Sequence, residues 1–102
     1  MKDLLQVLGL VSSAGKIFSG DTLFKKIKTN QVKLVFTVSD MGSSQLKKIN
    51  DKCTFYKIQI HNGLFDTEEL NQAIGKENIK AIGIEDSNFV KLILSKIDRG
   101  VV

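Results

Sequence analysis

The chain has 102 residues, of which 42% are hydrophobic and 25% charged, and this predicts one compact, ordered domain with no room for a second. The single Cys53 and single His61 exclude an internal disulfide and a Cys/His zinc site, and they favour a reducing cytoplasm. The net charge of +4, carried almost entirely by lysine, favours a polyanion contacted through its backbone. No apolar run approaches the roughly 20 residues that span a bilayer, so we expect no membrane association.

The first third of the chain predicts two helices separated by a short extended segment. Apolar residues at helical spacing predict a helix over residues 2–14, which Gly15 ends. Residues 16–18 are extended, and Asp21 can then cap a second helix that runs to about Thr29. The apolar stripe of the first helix contains Leu4, Leu5, Leu8 and Val11.

The middle of the chain predicts a strand, a helix and a second strand. The sequence KLVFTVS at 33–39 is short, apolar and β-branched, as in a buried central strand. Turn and capping residues at 40–44 begin a helix to about Lys52, with Leu46 and Ile49 inward. FYKIQI at 55–60 then predicts the second strand.

The last third continues this alternation. Asp66 and Glu69 have the spacing of a capping box ahead of a helix that Gly75 ends. IKAIGIE at 79–85 predicts a third strand, and Ser87 opens a final, largely apolar helix. Strands alternating with helices predict an α/β fold, with an open, mostly parallel sheet covered by helices on both faces.

The helix predicted at 19–29 has two different faces at about 100° per residue. Its apolar side contains Leu23, Phe24 and Ile27, and the basic side contains Lys25, Lys26 and Thr29. Gly20 permits close backbone approach at an N-terminus whose free amides attract anions, and the lysines add charge one turn away. This arrangement suits a phosphate backbone. The alternative is that the lysines only solvate an exposed helix face.

The candidates for catalysis do not form a local motif. We expect Cys53 to be a buried apolar residue and His61 to lie in a polar loop. Asp40 and Glu85 follow predicted strands, where open α/β sheets bind ligands, and they leave open a small nucleotide-binding or RNA-modifying enzyme. A turn-forming Asp40 that caps the next helix explains that residue equally well. We therefore predict a protein without a catalytic residue, metal or cofactor.

The segments LGLVSSAGKIFSGDTLFKKIKTNQVKLVFTVSD and ELNQAIGKENIKAIGIEDSNFVKLI together resemble the ribosomal kink-turn-binding family, particularly its small bacterial members, over essentially the full chain. The resemblance implies a three-layer α/β/α sandwich with a mixed four-stranded sheet, in which 16–18 pairs as a strand. It implies a noncatalytic RNA-binding protein whose expected partners are structured RNA, with ribosomal RNA favoured, and the ribosome or its assembly factors. We expect a cytoplasmic monomer.

By the same resemblance, the start of the second helix enters the RNA groove and the loop at 75–79 covers flipped nucleotides. Thr22 and Leu23 would face the bases and Lys26 the phosphates. Known binders carry an Asn-Glu pair where this chain has Thr22 and Leu23, so recognition of shape and phosphate should dominate. That difference also favours an alternative, a protein-interaction module in translation or ribosome assembly. The predicted RNA-binding residues are Lys16, Gly20, Asp21, Thr22, Leu23, Lys25, Lys26, Gly75, Lys76, Glu77, Asn78 and Ile79.

Overall fold

The computed structural model describes the backbone of residues 2–101 and the side chains of residues 2–97. The predicted domain of 1–102 therefore includes Met1 and Val102, which lie outside the described residues. In the described part of the chain, no helix is long and apolar enough to cross a membrane. The elements, in chain order, are α1 (Lys2–Ser13), β1 (Ile17–Phe18), α2 (Gly20–Lys28), β2 (Leu34–Thr37), α3 (Ser43–Phe55), β3 (Gln59–Asn62), α4 (Thr67–Ile74), β4 (Ala81–Ile84) and α5 (Ser87–Val101).

The four strands form one mixed sheet in the order β1-β4-β2-β3. β2 and β3 pair in parallel, whereas β4 pairs antiparallel with both β1 and β2. The mixed four-stranded sheet is confirmed, as is a short strand within 16–18. The expectation of a mostly parallel sheet is wrong.

The antiparallel direction of β4 follows from the short path between β3 and β4. α4 has only eight residues, and it begins near the end of the sheet where β3 finishes. Lys80, just before β4, donates a hydrogen bond from Nζ to Thr67 Oγ1 at the start of α4, at 2.9 Å. β1, β2 and β3 therefore end where β4 begins, and we call this end of the sheet the site end.

Helices cover both faces of the sheet and enclose two apolar cores. α1, α4 and α5 pack on one face, and α2 and α3 pack on the other. β2 serves both cores, because alternate side chains of a strand point to opposite faces. Leu34 and Phe36 enter the first core and Val35 enters the second. The three-layer α/β/α sandwich is confirmed.

Gly83 in β4 allows α2 to lie close to the sheet. A Cβ atom at this position would lie 2.4 Å from Leu23 Cδ1 and 3.0 Å from Val32 Cγ1. Leu23 and Ile27 fill that space and are almost completely buried, at 1% and 0% exposure. The apolar face predicted for this helix is thus confirmed, and it fixes α2 against β4.

The second strand was predicted to begin at residue 55, but the strand begins only at Gln59. α3 continues past Lys52 to Phe55, and Lys57 then adopts a left-handed backbone with φ of 58°. The Ile58 N–H donates to the Cys53 carbonyl at 2.8 Å, which closes the turn before β3. His61 consequently lies in β3, and its predicted place in a polar loop is wrong.

The helix caps were predicted with mixed success. The capping box of α4 is confirmed, since Asp66 accepts from the Glu69 N–H and the Glu69 carboxylate accepts from the Asp66 N–H. Asp21 does not cap α2, because the helix already begins at Gly20 and Asp21 lies in its first turn. Asp40 does not cap the start of the neighbouring helix α3. Its Oδ1 accepts instead from the backbone N–H and the hydroxyl of Thr67, at 2.9 and 2.8 Å.

Candidate functional site

Three segments that are distant in the sequence converge at the site end of the sheet. They are the start of α2, the start of α3 and the loop at 75–80, and they enclose a cleft of about 200 Å³. The structure thus brings together Gly20 and the end of the predicted 75–79 loop. The cleft is lined by Ser19, Gly20, Leu23, Phe24, Met41, Gln45, Asn78, Ile79, Lys80 and Ala81.

The first turn of α2 presents open backbone amides at this cleft. The N–H groups of a helix's first turn have no partner within the helix, and within the described residues no side chain caps this one. Gly20 has φ of 59°, a conformation that favours glycine. No described atom lies within 4 Å of the position that a Cβ would take there. A bound anion can therefore approach the α2 amides closely.

The side chains of this turn are arranged differently from the implied site. Asp21 and Thr22 are exposed, whereas Leu23 is only 1% exposed and packs against Gly83. Leu23 thus borders the cleft from below with very little exposed surface, and its implied contact with bases stays a prediction that this burial does not favour. The two polar side chains that can meet a ligand are Asp21 and Thr22.

Lys26 is held inside the fold rather than presented to a phosphate. Its Nζ donates to Glu85 Oε2 at 2.7 Å and lies 4.2 Å from the centre of the Phe18 ring. The Lys26 side chain is 21% exposed. We therefore assign Lys26 to the attachment of α2 to β1 and β4, and its implied contact with phosphates stays a prediction that this ion pair does not favour. Lys25 and Lys28 are the exposed cations of this helix.

Lys16 does not reach the cleft. Ile17 pairs with Ile84, the last residue of β4, so Lys16 lies toward the opposite end of the sheet. There it lines a separate polar pocket of about 510 Å³ together with Lys33 and Glu85. The structure therefore does not bring Lys16 and Gly20 into one site.

The loop at 75–79 is fixed by a buried side chain that sequence reasoning missed. Asn71 in α4 is 8% exposed, and its Oδ1 accepts from the Ile79 N–H at 3.0 Å. Its Nδ2 donates to the Ile79 carbonyl at 2.9 Å and to the Thr67 carbonyl at 2.7 Å. The available signal was a polar residue within the apolar stripe of α4, between Leu70 and Ile74.

The remaining loop residues surround the cleft rather than fill it. Gly75 ends α4 in a left-handed conformation with φ of 69°. Lys76 and Glu77 are exposed and line a shallow depression beside Asn78, which borders both this depression and the cleft. Lys76 is therefore an exposed cation of the neighbouring depression, whereas Lys80, which donates to Thr67, lines the cleft itself.

Two curated relatives match almost the whole chain. The RNA-binding protein YlxQ of Bacillus subtilis (strain 168) is 33% identical over 93 residues, which cover 90% of this chain and 92% of the relative. The RNA-binding protein YlxQ of Enterococcus faecium is 34% identical over 88 residues, covering 85% and 84%. The chain belongs to the YlxQ family. No family model matches this YlxQ-family sequence.

Solved structures support the fold of this YlxQ-family chain. A protein of unknown function from Bacillus halodurans C superposes with a TM-score of 0.87 at 32% identity, covering 96% of this chain and 99% of the other. The Giardia lamblia 15.5kD RNA binding protein superposes with a TM-score of 0.75 at 16% identity, covering 96% and 87%. The second likeness concerns the fold alone, and it extends the α/β/α sandwich to a distant RNA-binding protein.

The two carboxylates that suggested an enzyme lie at opposite ends of the YlxQ-family sheet. Asp40 follows β2 and Glu85 follows β4, and these strands are antiparallel. At about 3.3 Å per residue the paired segments are roughly 10 Å long, and Asp40 and Glu85 lie beyond their opposite ends. The hydrogen bonds from the Thr67 hydroxyl and N–H hold the pKa of Asp40 below its ordinary value. Asp40 and Glu85 therefore cannot act on one substrate atom.

Cys53 is confirmed as a buried apolar residue, with 0% exposure in the α2/α3 core. Burial raises the pKa of its thiol to about 11. Since the thiolate is the nucleophile, each unit of pKa lowers the reactive fraction about tenfold near neutral pH. We expect the folded protein at pH 8 to react with a disulfide-exchange reagent at least roughly 100-fold more slowly than the protein in denaturant. Equal rates would show that Cys53 is accessible.

Proposed function

We propose that this YlxQ-family protein binds structured RNA and catalyses no reaction, with residues 1–102 acting as one cytoplasmic RNA-binding domain. The observation that carries this conclusion is the convergence of the open α2 amides and the end of the loop at 75–79 around one cleft, with Lys25 exposed on the same helix. The relatives named RNA-binding proteins support RNA as the ligand.

Each wall of the cleft suits a different part of a nucleotide. The α2 amides and Lys25 suit phosphate oxygens, because both supply positive charge and the amides supply donors. Phe24, Met41 and Ile79 provide apolar surface for the face of a base. The side-chain amides of Gln45 and Asn78 can bond base edges. An unpaired nucleotide beside a phosphate backbone matches this combination.

Recognition of a particular base falls to Asp21 and Thr22. Both are exposed in the first turn of α2, beside the cleft. The Asp21 carboxylate accepts hydrogen bonds, and the amino and imino groups of guanine donate them. We therefore propose Asp21, two residues before the buried Leu23, as the base-reading acceptor.

The RNA that fits best is sharply bent, as in a kink turn of ribosomal RNA, and we propose association with the ribosome on that basis. A bend opens the groove and extrudes nucleotides, which a regular A-form duplex keeps stacked. The cleft needs such a nucleotide, while the flanking cations need a phosphate backbone close by. A straight duplex can satisfy only the second requirement.

Fluorescence anisotropy with a kinked and a straight RNA of equal length tests this function. With four to six phosphates neutralised, the logarithm of the association constant should fall against the logarithm of salt with a slope of about −3 to −5. We expect tighter binding of the kinked RNA at every salt concentration. Equal affinity for both RNAs would contradict recognition of a bend, and salt-independent binding would contradict phosphate contact.

A second candidate function is a protein-interaction module in translation or ribosome assembly. It is favoured by a groove of about 750 Å³ between α1 and α4, on the sheet face opposite α2. Leu10 at this groove is 62% exposed, and Gly9 lets the two helices approach closely, since a Cβ there would lie 2.9 Å from the Ala73 carbonyl oxygen. Failure to retain either RNA in the anisotropy experiment would favour this module.

A further inference from the structure

Helix α3 carries a stripe of two cations, Lys48 and Lys52, that ends in the exposed aromatic ring of Phe55. At about 100° per residue, Lys52 and Phe55 lie within roughly 40° of Lys48 around the helix axis. Phe55 is 77% exposed, the highest exposure among the large apolar side chains of the described residues. The stripe therefore runs along the solvent side of α3 to its last residue.

The Phe55 ring is anchored although it stands in solvent. Its centre lies 4.9 Å from that of the neighbouring Tyr56 ring, at an interplanar angle of 82°. Tyr56 in turn packs against the α2/α3 core. An edge-to-face pair of this kind orients an aromatic side chain, so Phe55 offers a surface that loses little freedom on binding.

The charge around this stripe is strongly one-sided. Residues 20–57, which contain α2 and α3, include eight lysines and three aspartates, a net charge of +5. Residues 63–79, which contain α4 on the opposite face, include one lysine and four acidic residues, a net charge of −3. The positive charge of the chain is therefore concentrated on the α2/α3 layer, where a polyanion is attracted.

The stripe begins at the cleft and follows the seam between α2 and α3. Gln45 in the first turn of α3 lines the cleft, and Lys48 one turn later lies 5.5 Å from the centre of the Phe24 ring of α2. Lys28 is exposed on α2. A helix of 13 residues is about 20 Å long, so the seam provides a path of that length from the cleft to Phe55.

We propose that an unpaired RNA strand leaving the structured RNA at the cleft follows this seam and stacks a base on Phe55. This inference rests on the proposed function and adds a second contact to it. Lysines without arginine suit a backbone rather than base edges, and an exposed ring accepts any base by stacking. A base inside a duplex cannot stack in this way, so the ligand of the seam is single-stranded.

The test compares a blunt kinked hairpin with the same hairpin carrying eight unpaired uridines at its 5′ or 3′ end. One of the two tails should raise the affinity of the unaltered protein about fivefold or more, the range of a single base stacked on an aromatic residue. Phe55→Leu should abolish this gain, Phe55→Trp should keep it, and Lys52→Gln should reduce it. All three variants should bind the blunt hairpin within about twofold of the unaltered protein. Leu10→Ala, at another exposed apolar position but on the opposite layer, serves as the control.

Three outcomes would overturn the inference: no gain from either tail, a gain that survives Phe55→Leu, or concentration-dependent dimerisation in sedimentation experiments that Phe55→Leu abolishes. Failure of the proposed function is distinguishable from these. If the blunt hairpin is not bound but a free uridine oligonucleotide is, the cleft proposal fails. If Phe55→Leu then loses binding of the oligonucleotide, the proposed single-strand contact along the seam is still supported.

Discussion

Replacement of Lys25 and Lys76 together by glutamine is expected to weaken the binding of kinked RNA by roughly 25- to 60-fold at about 0.1 M salt. Both lysines are exposed, one on α2 and one in the loop at 75–79, and in the described part of the chain neither forms an ion pair. Without these two phosphate contacts, RNA binding releases two fewer counterions. The slope of log affinity against log salt should therefore become shallower by about 1.4 to 1.8. Anisotropy titrations across a salt series measure both quantities.

The matched control removes the same charge from the opposite layer of the sandwich. Lys91 and Lys96 lie on α5, and their double replacement by glutamine should leave the slope unchanged. An equal loss of affinity in this control would mean that only the net charge attracts RNA. Lys26→Gln should change the slope less than Lys25→Gln, because the Lys26 ammonium is already matched by Glu85.

The parts of the fold that depend on neighbouring residues could be predicted from the sequence. The α4 capping box and its glycine stop involve residues within ten positions of one another, and both were identified. The apolar face of α2 was also predicted correctly, because helical periodicity alone decides which side meets the core. On Leu23 the periodicity and the family resemblance disagreed, and burial agrees with the periodicity.

The errors arose where distant residues decide the structure. Residues 55–60 have the composition of a strand, yet Cys53 and Ile49 are buried against the sheet and carry α3 through to Phe55. The ion pair of the Lys26 ammonium was not foreseen, because its partner, Glu85, is 59 residues away in the sequence. A local pattern contains no information about such a pair.

Two of the three segments that form the cleft could be predicted from the sequence. The α2 start and the loop at 75–79 were both proposed as contacts, but only the strand order shows that they meet. Met41 and Gln45 were missed entirely, since their only signal is a position just after β2 at the site end. The site was therefore visible as separate segments, and the antiparallel insertion of β4 is what joins them.

Replacement of Asn71 by alanine is expected to lower the free energy of unfolding by about 2–4 kcal/mol. The change removes three hydrogen bonds and leaves the backbone N–H and carbonyl of Ile79 without their partner. Buried polar groups that lose a partner cost about 1–3 kcal/mol each, which sets this range. Urea denaturation measures the loss, and Gln72→Ala, an exposed neighbour on the same helix, should change stability by less than about 0.5 kcal/mol.

The same variant separates positioning of the loop from direct contact with RNA. Asn71 is 8% exposed and does not line the cleft, so any effect on binding must pass through the loop at 75–79. We expect Asn71→Ala, under conditions where it is fully folded, to exchange the Ile79 amide hydrogen faster and to bind kinked RNA on the order of tenfold more weakly. The salt slope should not change, because no cation is removed. Weaker binding with an unaltered Ile79 exchange rate would show that this loop does not contribute to the site through its ordered conformation.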